Sequence, residues 1–202
     1  MKVLSSQEEL LRSLMIASKA LSTKTTLPIL GCFLLETKDD ELYCMATDLE
    51  IGIKIKIPGV TIISPGRIVA PGKTLLEIIR RLPPGRIEMA LNDEERLFNI
   101  ISAQSNFELH ILPTEEFPPL PKGLEEVGTF SEDTITGNDL ILKMKSSLFR
   151  DAVRKCAYAT LPEDSRPFLS SVLMEFEEGR LRLVATDINR LVIKDLNLKN
   201  KK

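Results

Sequence analysis

The sequence has no tryptophan, a single histidine (His110), and aromatic residues at only 5% of its 202 positions. So few flat rings disfavour a protein that stacks the bases of a single strand. One histidine, in an alternating strand-like run without a nucleophile-elbow sequence, leaves no Ser-His-Asp or Cys-His arrangement to build. The three cysteines, Cys32, Cys44 and Cys156, are odd in number and lack C-x-x-C spacing. That excludes a disulfide framework and the usual zinc patterns, so all three read as small buried hydrophobes. There is no Walker loop and no G-x-G-x-x-G. No apolar run approaches the roughly 20 residues that span a bilayer. The start, MKVLSSQEELL, lacks a signal-peptide apolar region, so the expected compartment is the cytoplasm. Charge of one sign is also missing. Lys and Arg number 27 against 29 Asp and Glu, a net −2, so any attraction to a polyanion must come from basic residues gathered on one face.

What is present is a repeat. Ala46-Thr47-Asp48 and Ala185-Thr186-Asp187 lie 139 positions apart (185 − 46), and the register extends backwards without a gap through Leu42 and Leu181, Leu34 and Leu173, Leu30 and Leu169, and Pro28 and Pro167. A match of that length is the mark of an internal duplication. Strand 1–4 precedes a helix over 6–21, capped by Ser5 or Ser6, with Leu10, Leu14, Ala17 and Leu21 as its core stripe. Strands follow over 30–37, 41–47 and 49–57, with Lys38-Asp39-Asp40 as a hairpin turn and Gly52 as a candidate bulge. The pattern restarts with a strand over 66–70, a helix over 73–82 and strands over 86–91, 96–102 and 106–112. Residues 112–123 are rich in proline and acid and read as a linker. The third unit has a strand over 139–144, a helix over 147–159 with Phe149, Val153 and Cys156 inward, and strands over 169–176, 180–186 and 189–195.

All three helices carry basic residues away from the apolar stripe: Arg12 and Lys19, then Lys73, Arg80 and Arg81, then Arg150, Arg154 and Lys155. Solubility accounts for each helix singly, because helix exteriors are usually charged. Repetition over equivalent helices points equally to contact with the phosphates of a duplex. Asp48 and Asp187 follow strands directly, where aspartate commonly bonds nearby amides; metal ligation is the alternative.

The stretches TLPILGCFLLE (26–36), ATDLEIGI (46–53), VAPGKTLLEIIRRLP (69–83), LPTEEFPPLP (112–121), SRPFLSSVLMEF (165–176) and LRLVATDINRLV (181–192) are similar to those of the bacterial DNA polymerase III beta subunit, the sliding clamp family. The resemblance implies an α+β DNA clamp fold, with sheets outside and helices facing DNA. It implies an N-terminal clamp domain over 1–122 and half of a central domain over 123–202. Six such units make a full subunit, and three would leave a two-subunit ring open. It implies a processivity factor that encircles duplex DNA, tethers polymerase III catalytic and clamp-loader subunits and other clamp-binding-motif proteins, pairs head to tail as a homodimer, and needs no cofactor or catalytic site. The alternative is an interaction module that binds clamp partners or clamp subunits without forming a ring.

Carried over by position, Lys24, Lys73 and Arg166 match DNA-contacting positions of the family, beside the helix residues above. Phe107 and Leu109 match its subunit contact. Leu169, Thr186, Ile188, Asn189, Arg190 and Leu191 match its partner-peptide cleft, with Ile188 and Asn189 departing from the family's small residue or serine followed by histidine.

Overall fold

The computed structural model describes residues 1–22, 26–92, 96–103, 105–120, 144–161, 166–177 and 179–198. The chain divides into two compact units, Met1–Ser131 and Glu132–Lys202.

The first unit opens with β1 (Lys2–Ser6) and α1 (Gln7–Ala17). Ser6 caps α1 by accepting the Glu9 amide at 3.3 Å, and Glu8 and Glu9 lie at the positive end of the helix dipole. A 3-10 turn, Ser18–Ala20, ends the helix earlier than its apolar stripe suggests. The strands are β2 (Cys32–Lys38), β3 (Glu41–Thr47), β4 (Gly52–Ile57), β5 (Thr61–Ser64) and β6 (Arg67–Pro71). Asp39 and Asp40, with φ of 51° and 59°, form the two-residue turn between β2 and β3. Positive φ at both central positions suits the twist of a hairpin, and aspartate tolerates it. After α2 (Gly72–Arg81) come β7 (Arg86–Asn92), β8 (Leu97–Ser102) and β9 (Ser105–His110). At Gly72 the start of α2 approaches the first repeat closely: a Cβ there would lie 2.6 Å from Leu21 Cδ1 and 2.9 Å from the Gly31 carbonyl oxygen.

The two repeats exchange their first strands. β1 pairs with β7 and β5, giving the antiparallel order β5-β1-β7-β8-β9, while β6 pairs with β2 in the order β4-β3-β2-β6. Neither repeat can therefore close its sheet alone. One core joins Leu10 and Leu14 of α1, Leu75 and Ile79 of α2, and Phe33, Leu35, Ile87 and Phe98 of the two sheets. Burying side chains of this size stabilises by about 1.5–3 kcal/mol each before entropy is counted.

The second unit has α3 (Ser146–Ala157) over an antiparallel sheet of β10 (Leu173–Glu177), β11 (Arg180–Thr186) and β12 (Leu191–Asn197). Its core is Ala152, Cys156 and Ala159 against Leu181, Leu183, Ala185 and Leu196.

Several expectations change. Residues 28–31 and 167–170 are 3-10 turns led by proline, so β2 and β10 start later than predicted. Residues 49–51 belong to a turn, and Gly52 opens β4 in unbroken register instead of bulging it. β5 was hidden in a short apolar run between turns. Phe149 is exposed, because the buried side of α3 is Ala152 and Cys156, continued by Ala159 just past the helix end, and of the helix only Val153 flanks it. Small residues allow close helix-sheet approach, whereas sequence patterns favour large ones. Residues 112–120 are no free linker: Leu112 bridges to Val69, and Phe117 is buried against a cluster with Leu34 and Met45. The strand predicted over 139–144 falls, apart from Met144, outside the described residues.

Candidate functional site

The duplicated triplet builds the same turn twice. In the first copy, Thr47 Oγ1 accepts the Leu49 amide at 3.0 Å, and Asp48 Oδ1 accepts the Glu50 and Ile51 amides at 3.0 and 2.7 Å. In the second, Thr186 Oγ1 accepts the Ile188 amide at 3.1 Å, and Asp187 Oδ1 accepts the Asn189 and Arg190 amides at 3.1 and 2.9 Å. The backbone agrees as closely, with φ of 78° at Leu49 and 77° at Ile188. Both carboxylates are occupied as turn caps, and among the described residues no group of three His, Cys, Asp or Glu side chains is placed to hold a metal ion.

The copies differ after the shared triplet, and a positive charge enters at its third following residue. Ile51 is replaced by Arg190, whose Nε donates to Asp187 Oδ2 at 2.7 Å while its guanidinium carbon lies 5.5 Å from the centre of the Tyr158 ring. Thr186 Oγ1 also donates to the Arg190 carbonyl at 2.7 Å. Burial of the Asp187 carboxyl opposes its ionisation, but the Arg190 guanidinium and the amides of Arg190 and Asn189 outweigh that and hold it below the ordinary aspartate range.

Strand register brings the predicted groove residues to one end of the sheet. Thr186 lies opposite Leu191, and Leu173 lies opposite Val184, so the Pro167–Ser170 turn before β10 stands at the end of β11 that carries the Thr-Asp turn. Leu169 is buried there, and its carbonyl accepts the Leu161 amide at 2.9 Å. Ile188 and Leu191 are 63% and 61% exposed, and Phe168 is also exposed. Asn189 is exposed on the turn. Two aromatic residues of this end, Tyr158 and Phe168, were not picked out from the sequence. Tyr158 is far from Arg190 along the chain, and only the fold places them together.

The predicted phosphate contacts occupy helix exteriors. Arg12 and Lys19 are exposed on α1 and its terminal turn, Lys73, Arg80 and Arg81 on α2, and Arg150 and Arg154 on α3. Lys155 pairs with Asp151 at 2.8 Å within α3. Arg166 is exposed at the head of the Pro167–Ser170 turn. Lys24 lies outside the described residues. The α1 exterior is not purely basic, since Met15 and Ile16 are exposed between Arg12 and Lys19. Phe107 and Leu109 sit half-buried on β9, and Phe107 lines a groove with Lys73, Thr74, Glu77, Ile78 and Arg81.

Antiparallel sheets covered on one side by helices, repeated along the chain, define the sliding-clamp fold. Solved structures agree: the DNA polymerase III subunit beta from Pseudomonas aeruginosa has a TM-score of 0.84 and 26% identity, covering 100% of this chain and 51% of that one. The beta subunit from Thermotoga maritima has a TM-score of 0.81 and 30% identity, again covering 100% of this chain and 51% of the other. A family model described as the DNA polymerase III beta subunit, N-terminal domain, matches residues 1–121, and the chain belongs to that family. The beta sliding clamp of Staphylococcus aureus is 28% identical over 189 residues, which is 90% of this chain and 46% of the relative. The chain spans about half the length of the curated relatives it matches. Among the described residues no helix is long and apolar enough to cross a membrane.

Proposed function

We propose that the chain acts as part of a sliding-clamp processivity factor in the cytoplasm, with duplex DNA against its helices and replication proteins docked at the Thr186 turn. The observation that carries this reading is the set of exposed Arg and Lys side chains on α1, α2 and α3, each opposite a buried stripe, in a chain of the beta subunit family. Such side chains attract phosphate without reading sequence. Loose contact of that kind suits movement along DNA. In this reading Phe107 and Leu109 meet another subunit in a head-to-tail homodimer. Leu169, Thr186, Ile188, Asn189, Arg190 and Leu191 receive apolar peptide anchors from polymerase III and clamp-loader subunits, and the chain itself catalyses nothing. The test is retention on nicked circular DNA in the presence of a clamp loader, with release after linearisation. Failure of this chain where a full-length relative succeeds would remove ring function.

A second reading is an interaction module that binds clamp partners without encircling DNA. It is favoured by the exposed Phe168, Ile188 and Leu191 gathered at one end of the second unit. Saturable binding of a clamp-binding peptide, with no retention on circular DNA, would select it.

A further inference from the structure

The first two repeats complete each other reciprocally. β1 of the first pairs with β7 of the second, and β6 of the second pairs with β2 of the first. α1 packs on α2, and Leu10 and Leu35 of the first repeat enter a core shared with Ile68, Leu75 and Ile79 of the second. The third repeat follows the first at the 139-position offset (149 − 10). Its helix starts at the equivalent residue, Ser146 for Gln7, and its strands keep the same register, with Met174 opposite Leu183 as Leu35 is opposite Cys44. Burial does not follow. Leu10 and Leu35 are 0% exposed, whereas their counterparts Phe149 and Met174 are 37% and 50% exposed. Leu34, at 4%, becomes Leu173 at 55%. Among the described residues β10 is hydrogen-bonded to β11 alone.

Met174 alternates with Val172 and Phe176, which pack against the α3 core, so it lies on the helix-facing side of the sheet and is exposed there all the same. A group of large apolar side chains left open beside an unpaired strand edge marks an interaction surface. In the first repeat the equivalent surface is covered by another repeat of the same kind. That exchange is reciprocal, so the same arrangement made by two identical repeats is a two-fold, isologous contact. We propose that the α3–β10 side of the third repeat packs against the same side of a second copy, as the first repeat packs against the second. Phe149, Val153 and Met174 of both copies then form one core. A second copy fits because it offers the third repeat the helix, edge strand and apolar side chains that the first two repeats offer each other. Such a contact closes at two chains. It uses neither Phe107 nor Leu109, and is separate from the head-to-tail contact read at those residues.

Sedimentation of the full chain tests it with Met174→Lys and Phe149→Lys, and with Phe107→Lys as the control that removes the head-to-tail contact. The control reaches twice the mass of one chain at roughly 0.1 mM and no more. Met174→Lys and Phe149→Lys, each added to the control, weaken that association about tenfold, the loss typical of a central contact residue. A control that stays monomeric, one that grows beyond two chains, or one that associates as well with both lysines as without them overturns the proposal. Circular dichroism checks that the variants fold. Should they unfold, the wild-type chain supplies the second readout. Hydrogen exchange is followed above and below the concentration at which its mass doubles, and the β10 amides exchange about tenfold more slowly above it, because the open edge is then paired. A wild-type mass that never doubles, or β10 rates that are equal on both sides of the doubling, overturns the proposal without any substitution.

Discussion

Ile188 is the residue at which conformation and exposure conflict most plainly. A β-branched side chain at a φ of 77° is a backbone outlier, and such residues cost about 1–3 kcal/mol. At 63% exposure the side chain recovers little by burial. Leu49 repeats the conformation in the first copy, so the strain belongs to the Thr-Asp turn and was duplicated with it. Ile188→Gly should therefore raise stability by about 1 kcal/mol, after the entropy that glycine adds to the unfolded chain. It should also weaken a clamp-binding peptide if the side chain is an anchor. Denaturant unfolding and peptide titration on the same variant separate these effects, and a stability loss would show that Ile188 is held by contacts rather than strained. Next to it, Asp187 makes stability depend on acid. Its carboxyl is held below the ordinary aspartate range when folded, so the unfolded chain takes up that proton at higher pH. The contribution is complete above the unfolded value, near pH 4, and disappears as pH falls through the folded one. Asp187→Asn should lower stability at neutral pH and flatten the acid limb of a plot of unfolding midpoint against pH. Parallel curves for variant and wild type would contradict this.

Among the elements, the segment 112–120 departs furthest from its composition. Its prolines and acids describe a linker, yet Phe117 closes a small core with Leu30, Leu34, Met45 and Val69 on the sheet face away from the helices. Phe117→Ala should cost about 3 kcal/mol, seen as a lower denaturant midpoint with an unchanged slope. A cost under about 0.5 kcal/mol would mean that the segment is only draped over the sheet. The same contrast shows which parts of the fold were legible. The stripes of α1 and α2 and the alternation of β3, β8 and β11 are local patterns, and they located those elements to within a few residues. The Ala-Thr-Asp repeat announced equivalent turns, and the turns agree at the level of single hydrogen bonds. The exchange of β1 and β6 between sheets was not legible, because nothing in a strand's own alternation names its partner. Phe149 misled because side-chain size suggests burial, whereas the helix-sheet spacing of the second unit selected alanines. At the groove, the positions came from family resemblance and the duplicated turn. Tyr158 beneath Arg190 required the fold, since their proximity depends on where α3 ends over β12.

For the whole molecule the open choice is whether the basic helix exteriors only keep the chain dissolved or also hold phosphate. Net charge does not decide it, because a total of −2 is compatible with a positive face. The exposed Met15 and Ile16 break the positive surface of α1, so contact there is expected to be weaker than on α2 and α3. Salt separates the two roles. Each phosphate neutralised on a duplex adds about −0.9 to the slope of log affinity against log salt. Replacing Arg80 and Arg154 together by alanine should therefore bring the slope about 1.8 units nearer zero if each meets a phosphate. It should do so equally on two duplexes of unrelated sequence, because backbone contacts position a protein without reading bases. The pair Arg12→Ala and Lys19→Ala should change the slope less. Unchanged slopes in both double variants would assign the helix exteriors to solubility, and a change on only one duplex sequence would indicate base recognition, which a freely sliding clamp does not need.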